Sequence, residues 1–368
     1  MSADKPTRLP RGRKKLAKHA HPQVRHGVRR RSRVRIAFAI VGASLAVVLI
    51  GSLGFAAYLA STFDANTTTL EGVIETATPT PGATAVDSTK PENILILGSD
   101  TRGKLKSDPN AEGYRSDVVM LVHLDGDRKN VQILSIPRDT WVDIPCYGKG
   151  KINWAMSYGG VTCAVNTVES FLGITVDHFV LVNFSGVKNL TEVLDGVTVD
   201  NPRAFTSDVN DYEFNRYFYE QGPIELRGAR ALAFVRERHA FADGDVSRVK
   251  NQQLFISGVV DKLLSLGVLT NPGKMSTVAA AIGELLVVDP GLDSSWIIRT
   301  AVEISPFDKS KLSMLVMPIE RTALIGSQYA IIPDAEEMAY ISGLLSRDAL
   351  SGYVPPPQPA VDALDQGG

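Results

Sequence analysis

From Ile36 to Ala60 the chain runs for 25 residues without a charged side chain (IAFAIVGASLAVVLIGSLGFAAYLA), and this run constrains every reading of the rest. At about 1.5 Å per residue, a helix of that length exceeds the roughly 30 Å hydrocarbon core of a bilayer. A cleaved leader would carry a shorter apolar region, about 7–15 residues, ending in a small-residue cleavage site. A retained single span is therefore expected. Arg29, Arg30, Arg31, Arg33 and Arg35 crowd its amino-terminal flank, while Asp64 and Glu71 are the nearest charges beyond it. Positive flanks stay on the cytoplasmic side, so the N-terminus is expected in the cytoplasm and the rest of the chain outside the cell membrane.

Charge follows the same division. The net charge of −1 conceals 13 Lys/Arg against one Asp in residues 1–35. Such a segment buries too little apolar surface to offset ordering and reads as a disordered cytoplasmic tail. Its charge serves topology, with attraction to anionic headgroups as a second reading. Residues 61–90 are rich in Thr, Ala and Pro and read as an extended extracytoplasmic spacer, with structure beginning near Glu92. A folded domain over 91–350 and a Pro-rich disordered tail over 351–368 complete the division. The two cysteines, Cys146 and Cys163, both follow the span. In an oxidising compartment such a pair closes a bridge, the other reading being two unrelated buried thiols.

Within the domain, short β-rich runs at Asn93–Gly98, Asp117–Leu124 and Asn130–Ile136 precede alternating helices and strands. Helical patterns fall at 153–158, 163–172, 185–194, 246–266, 273–287, 294–304 and 335–345, with strands at 178–183, 197–199 and 313–318. The pattern is that of an α/β domain.

Arg and Asp gather at the ends of these elements, where open α/β sheets place ligands. Asp100 and Arg102 follow the first strand in GSDTR, and Arg115 and Asp117 open the second in YRSD. If these strands are neighbours, Asp100 and Asp117 meet. Paired carboxylates suit a hard cation, Mg²⁺ or Mn²⁺, that takes substrate phosphates as further ligands, although either Asp alone is an ordinary turn or cap residue. Pro137 stops the third strand in SIPRDT, freeing Arg138 and Asp139 to face a ligand. Arg236 and Arg238 in FVRER share a target only if their helix ends there. Asp245, Arg248 and Gln252 fall at i, i+3 and i+7 on one helix face, with Asp245 also able to cap it. Converging guanidinium forks match a diphosphate. No G-x-S-x-G, H-E-x-x-H or P-loop occurs, so covalent catalysis is not indicated.

In order and spacing, GSDTR, RSD, SIPRDT, KIN, FVRER and DxxRxxNQQ resemble the LytR-CpsA-Psr family over about Pro91 to Ser265. The resemblance implies a mixed central β-sheet flanked by helices and preceded by one transmembrane helix. It implies a phosphotransferase that moves a glycopolymer of teichoic, arabinogalactan or capsular type from a polyprenyl-pyrophosphate carrier to peptidoglycan through a phosphodiester, with Mg²⁺ or Mn²⁺ as cofactor. Carried over residue by residue, Asp100 and Asp117 match the metal ligands, with Arg115 beside them, and Arg138, Arg236 and Arg238 match the pyrophosphate-binding arginines. Asp245, Arg248 and Gln252 match the remaining polar positions, and Asp139 or Asp245 stands as general base. The lipid would lie in an apolar pocket between Ala164–Leu172 and Phe255–Leu264. The Cys146–Cys163 pair and a long Arg102–Arg115 loop depart from the general pattern and resemble actinobacterial members. Hydrolysis of the carrier by water and a membrane-bound regulator of transcription are the alternatives. No helix-turn-helix precedes the span, so nucleic acid is not an expected partner.

Overall fold

Alternation along one strand sets the architecture. In β2 (Glu92–Ser99), Leu95 and Leu97 point into one apolar core while Ile96 lies against another. A strand's side chains alternate faces, so both faces of this sheet must be covered. Seven strands form it: β1 (Thr68–Thr69), β2, β3 (Ser116–Leu124), β4 (Val131–Ser135), β5 (His178–Asn183), β6 (Leu286–Val288) and β7 (Leu312–Val316). Their order is β1-β6-β5-β2-β3-β4-β7. Pairs β2–β5 and β4–β7 are parallel, whereas β2–β3, β3–β4 and β5–β6 are antiparallel, so the sheet is mixed. The computed structural model describes residues 51–52, 54–74, 90–99, 114–208, 216–305 and 308–356.

One face is closed by helices α1 (Trp154–Leu172) and α7 (Ala335–Ser346), which pack on Leu95, Leu97, Leu121 and Leu134. The other carries α2 (Phe184–Val193), α3 (Gly228–Arg236), α4 (Asp245–Leu263) and α5 (Pro272–Leu285). A final helix of the domain's middle, α6 (Ser294–Glu303), is N-capped by Asp293. Because β2, β4, β5 and β7 run in one direction, their carboxyl ends share one sheet edge with the start of β3.

Several boundaries differ from the sequence reading. The two helical runs at 153–158 and 163–172 stand as two helical stretches within Trp154–Leu172, parted where Gly159 and Gly160 leave helical geometry. The run at 273–287 is a helix only to Leu285, after which Leu286–Val288 joins the sheet beside β5. Apolar residues buried on all sides carry no period that separates helix from strand. Two hairpins were not anticipated, Trp141–Ile144 with Gly148–Lys151, and Ile319–Ile325 with Gln328–Pro333. Folded structure also begins before Glu92: Phe63 and Val73 are buried, Asp64 accepts hydrogen bonds from the Ser294 N–H and hydroxyl, and β1 pairs with β6. Part of the expected spacer is thus bound into the domain. Cys146 and Cys163 form a disulfide.

No helix among the described residues is long and apolar enough to cross a membrane. The basic tail, residues 36–50 of the apolar run, Asp100 with its loop and the end of the Pro-rich tail lie outside them.

Candidate active site

The site is built at the sheet edge from the ends of four elements. After β4, Pro137 breaks the ladder and Arg138 turns inward, its Nη1 donating to a carboxylate oxygen of Asp117 at the start of β3. Helix α3 ends at Arg236, and Glu237 is extended rather than helical. That break lets Arg236 and Arg238, two positions apart, line the same cavity. Helix α4 begins beyond Gly244, whose φ of +46° lies in the region that disfavours other residues. Asp245 is the first helical residue, and neither of its carboxylate oxygens accepts a backbone N–H of the first turn. Instead its carboxylate turns inward, 3.0 Å from Arg248 Nη2 and 3.6 Å from Arg138 Nε.

Three adjacent amides fix α4. Asn251 Nδ2 and Gln252 Nε2 donate to Phe234 O and Val235 O, carbonyls of the last turn of α3 that have no helical partner. Gln253 Nε2 donates to Ser135 Oγ and to Leu315 O, tying the helix to β4 and β7. Gln252 therefore lines the cavity while its amide nitrogen is committed to the scaffold. The positioning roles of Asn251 and Gln253 were not read from the sequence, where an Asn-Gln-Gln run at the end of a motif carries no partner information.

Asp117, Arg138, Arg236, Arg238, Arg248 and Gln252 surround a cavity of about 200 Å³. Arg248 is 3% exposed. The Nε of Arg138 and the Nε of Arg248 are buried without a hydrogen-bond acceptor among the described residues. Such donors are costly when unmet, and an anion would meet them. Behind them lies an apolar cavity of about 230 Å³, lined among others by Ile96, Met120, Val187, Ile256 and Val259. The two cavities share Phe184 and Gln252. A Cβ on Gly98, which lines the apolar cavity, would come within 2.8 Å of Val118 Cβ and 3.2 Å of Phe184 Cε1, so these side chains pack as they do only beside a glycine.

The apolar cavity corrects one expectation. Phe255 and its neighbours on α4 line it, but Ala164–Leu172 does not. That stretch packs on the opposite face of the sheet, where it fills the closed core. Arg115 is exposed, directly before Ser116 at the start of β3, and is not among the residues that line the arginine cavity. The register shifts between Gly98, opposite Val118, and Ser99, opposite Ser116, so that Asp117 is the extra residue of β3 at this point.

Asp139 and Asp245 have opposed titrations. Burial, then the charge of Asp245, pushes the Asp139 carboxyl above its ordinary range. Burial also acts to raise Asp245, but the charges of Arg248 and Arg138 outweigh it and hold Asp245 below that range. Lys151 Nζ, from the KIN motif, lies 3.2 Å from Asp139 Oδ1, a contact the sequence did not assign. His239 lines the cavity as well and accepts from Arg238 Nε at 3.2 Å.

For a metal, Ser99 and Ser116 are register partners, so β2 ends beside the start of β3. Asp117 offers oxygen of the kind a hard cation takes, one carboxylate oxygen being engaged by Arg138. Asp100 lies outside the described residues.

The LytR_cpsA_psr family model matches residues 57–344. The chain belongs to this family. A teichoic acid–peptidoglycan transferase, TagU of Halalkalibacterium halodurans, is 29% identical over 83% of this chain and 95% of its own length. Over other curated relatives the match is confined to about three fifths of their length, 61% for TagU of Enterococcus faecalis. Among solved structures, Bacillus subtilis TagV aligns with a TM-score of 0.58 at 29% identity, covering 73% of this chain and 99% of that one. TagT bound to LIIa-WTA aligns with a TM-score of 0.56 at 26% identity, covering 72% and 93%. The mixed sheet flanked by helices is the fold of this LytR-CpsA-Psr group.

Proposed function

We propose that the chain is a phosphotransferase that moves a glycopolymer from a polyprenyl-pyrophosphate carrier to peptidoglycan. The observation that carries this reading is the junction at Phe184 and Gln252 between an arginine-lined cavity and one lined otherwise by apolar residues. A diphosphate ester of a long isoprenoid needs that combination: guanidinium donors for the phosphate oxygens and a dry channel for the chain. Its family relatives named as teichoic acid–peptidoglycan transferases and the solved TagT complex support the same substrate class.

In the proposed reaction, a saccharide hydroxyl of the acceptor attacks the phosphorus nearest the glycopolymer. A new oxygen–phosphorus bond forms as the bond to the lipid phosphate breaks, and the lipid phosphate leaves with the electron pair. Arg138, Arg236, Arg238 and Arg248 hold and neutralise the phosphates, which is where most rate acceleration arises in such transfers. Asp139 accepts the hydroxyl proton, because its raised pKa makes it the stronger base of the pair. Asp245 stays ionised and holds Arg138 and Arg248 in place. A divalent cation, Mg²⁺ or Mn²⁺, held by Asp117 with Asp100, would add charge neutralisation on the diphosphate. The apolar run at 36–60 would anchor the domain outside the cell membrane, with the basic N-terminus in the cytoplasm.

The test gives the full-length chain in detergent a polyprenyl-pyrophosphate disaccharide and uncross-linked peptidoglycan oligomers, with Mg²⁺ or with chelator. Disaccharide phosphate joined to the oligomer is the expected product, lost on chelation. Release of disaccharide phosphate without joining would make the chain a hydrolase, and no turnover would return weight to a regulatory role.

A further inference from the structure

A third cavity, of about 360 Å³, opens on the other side of the arginines. It shares Arg238 and His239 with the phosphate cavity and no residue with the apolar one. Asp139 and Asp245 line it, and its far wall is the hairpin Ile319–Ile325 with Gln328–Pro333, which presents Ile319, Thr322 and Tyr329. The hairpin is fixed against the catalytic segment, since Ile331 N–H donates to Asp139 O at 2.9 Å and Thr140 bridges to Ile331.

Building on the transferase reading above, we propose that this cavity is the acceptor subsite, which holds a saccharide of the peptidoglycan strand with one hydroxyl at Asp139. Two arguments place the acceptor here. Displacement at phosphorus brings the attacking and leaving oxygens into line. The leaving lipid phosphate lies toward the apolar cavity, so the attacking hydroxyl comes from the side that shares nothing with it. The lining is also suited to a sugar: Tyr329 offers an exposed aromatic face to ring C–H groups, and Asp139, Asp243 and Thr322 offer oxygens to hydroxyls. Tyr329 is 54% exposed, as befits the rim of a site that an extended polymer must enter from solvent. As the new oxygen–phosphorus bond forms and the lipid phosphate departs, the hydroxyl proton passes to the Asp139 carboxylate at the cavity wall.

The experiment uses the full-length chain with Thr322→Trp, which fills the cavity, and Tyr329→Ala, which removes its rim without adding bulk. Both lie on the hairpin and outside the phosphate and apolar cavities. Turnover is measured against uncross-linked peptidoglycan oligomer at saturating donor, then against a polyprenyl-pyrophosphate disaccharide at fixed oligomer. Slow donor hydrolysis without oligomer is measured alongside. The expected result is a rise of about tenfold or more in KM for the oligomer, with donor KM and donor hydrolysis within about twofold of wild type. Oligomer binding to each variant, followed by saturation-transfer NMR without donor, should weaken in parallel. A rise in donor KM would assign the cavity to the donor glycan and overturn the proposal, as would an unchanged KM for the oligomer. Failure of wild type to join donor to any oligomer, with hydrolysis intact, would instead sink the transferase reading on which the proposal stands.

Discussion

The two faces of the central sheet are made from the same strands and end in opposite states. On one, Leu95, Leu97, Leu121 and Leu134 are fully buried against α1 and α7. On the other, Ile96, Gly98, Val118 and Met120, their neighbours in β2 and β3, border an open apolar channel. Interiors normally pack at the density of organic crystals, so an unfilled channel forgoes dispersion contacts that the closed face makes. The contrast assigns work to each: the closed face supplies stability, and the open face gives up some of it to keep a place for a ligand. Substitutions on the two faces should therefore separate stability from activity.

The largest effect is expected at the mouth of the open face. Arg138→Ala removes a guanidinium from the phosphate cavity and leaves Asp117 and Asp245 short of a partner. Transfer should fall by about a thousandfold or more, mostly in kcat, as for the loss of a group that meets charge developing in the transition state. A loss below about tenfold would remove this arginine from the chemistry. On the closed face, Leu121→Ala should cost about 3 kcal/mol of stability through lost burial and a residual cavity. Calorimetric melting would read that loss, and kcat/KM per folded molecule should stay within about twofold of wild type. A large fall in kcat/KM at full folding would show that the faces are not separable.

How far these faces were legible in the sequence follows from the same contrast. The strands were readable, because Asn93–Gly98 and Asp117–Leu124 are short apolar runs bounded by turn signals. The motif residues were readable as a set because they cluster at element ends, and six of them, from Asp117 to Gln252, do surround one cavity. What periodicity does not carry is which face a helix covers. Ala164–Leu172 and Phe255–Leu264 are comparably apolar, yet only the second reaches the channel, a choice made by connection and sheet order. The hairpin that walls the third cavity left little trace, its turn resting on Gly326 and a run of mixed polarity.

A smaller effect separates the two acids that line the third cavity, beside the arginines of the phosphate cavity. Asp139 keeps its proton to higher pH than an ordinary Asp, with burial as the main cause and Asp245 next. Its base form therefore grows as pH rises through the raised value, and the acid limb of the transfer rate should climb with it. The stability sign is opposite: between about 3.9, the ordinary Asp value, and the raised one, the native state binds more proton than the unfolded chain. This group's contribution to stability is therefore present at low pH and lost as pH rises through that window. Asp139→Asn should lower kcat by about a hundredfold and flatten the acid limb of the pH profile. A variant that keeps the wild-type limb would transfer the base role to Asp245.

The smallest expected change fills the open face without touching charge. Ile256, half-buried on α4, borders the channel and makes no contact with the arginines' cavity. Ile256→Trp would occupy space within a channel of about 230 Å³, so the effect should fall on the carrier chain alone. The KM for a long polyprenyl donor is expected to rise about tenfold, the scale on which apolar pockets discriminate by a methylene or two. A donor truncated to two isoprene units needs less of the channel and should lose less than threefold. Melting temperature should hold or rise, because the added ring fills a void that the native packing leaves open. If the two donors suffer equally, the channel is not where the carrier lies, and the open face would owe its cavity to something other than lipid.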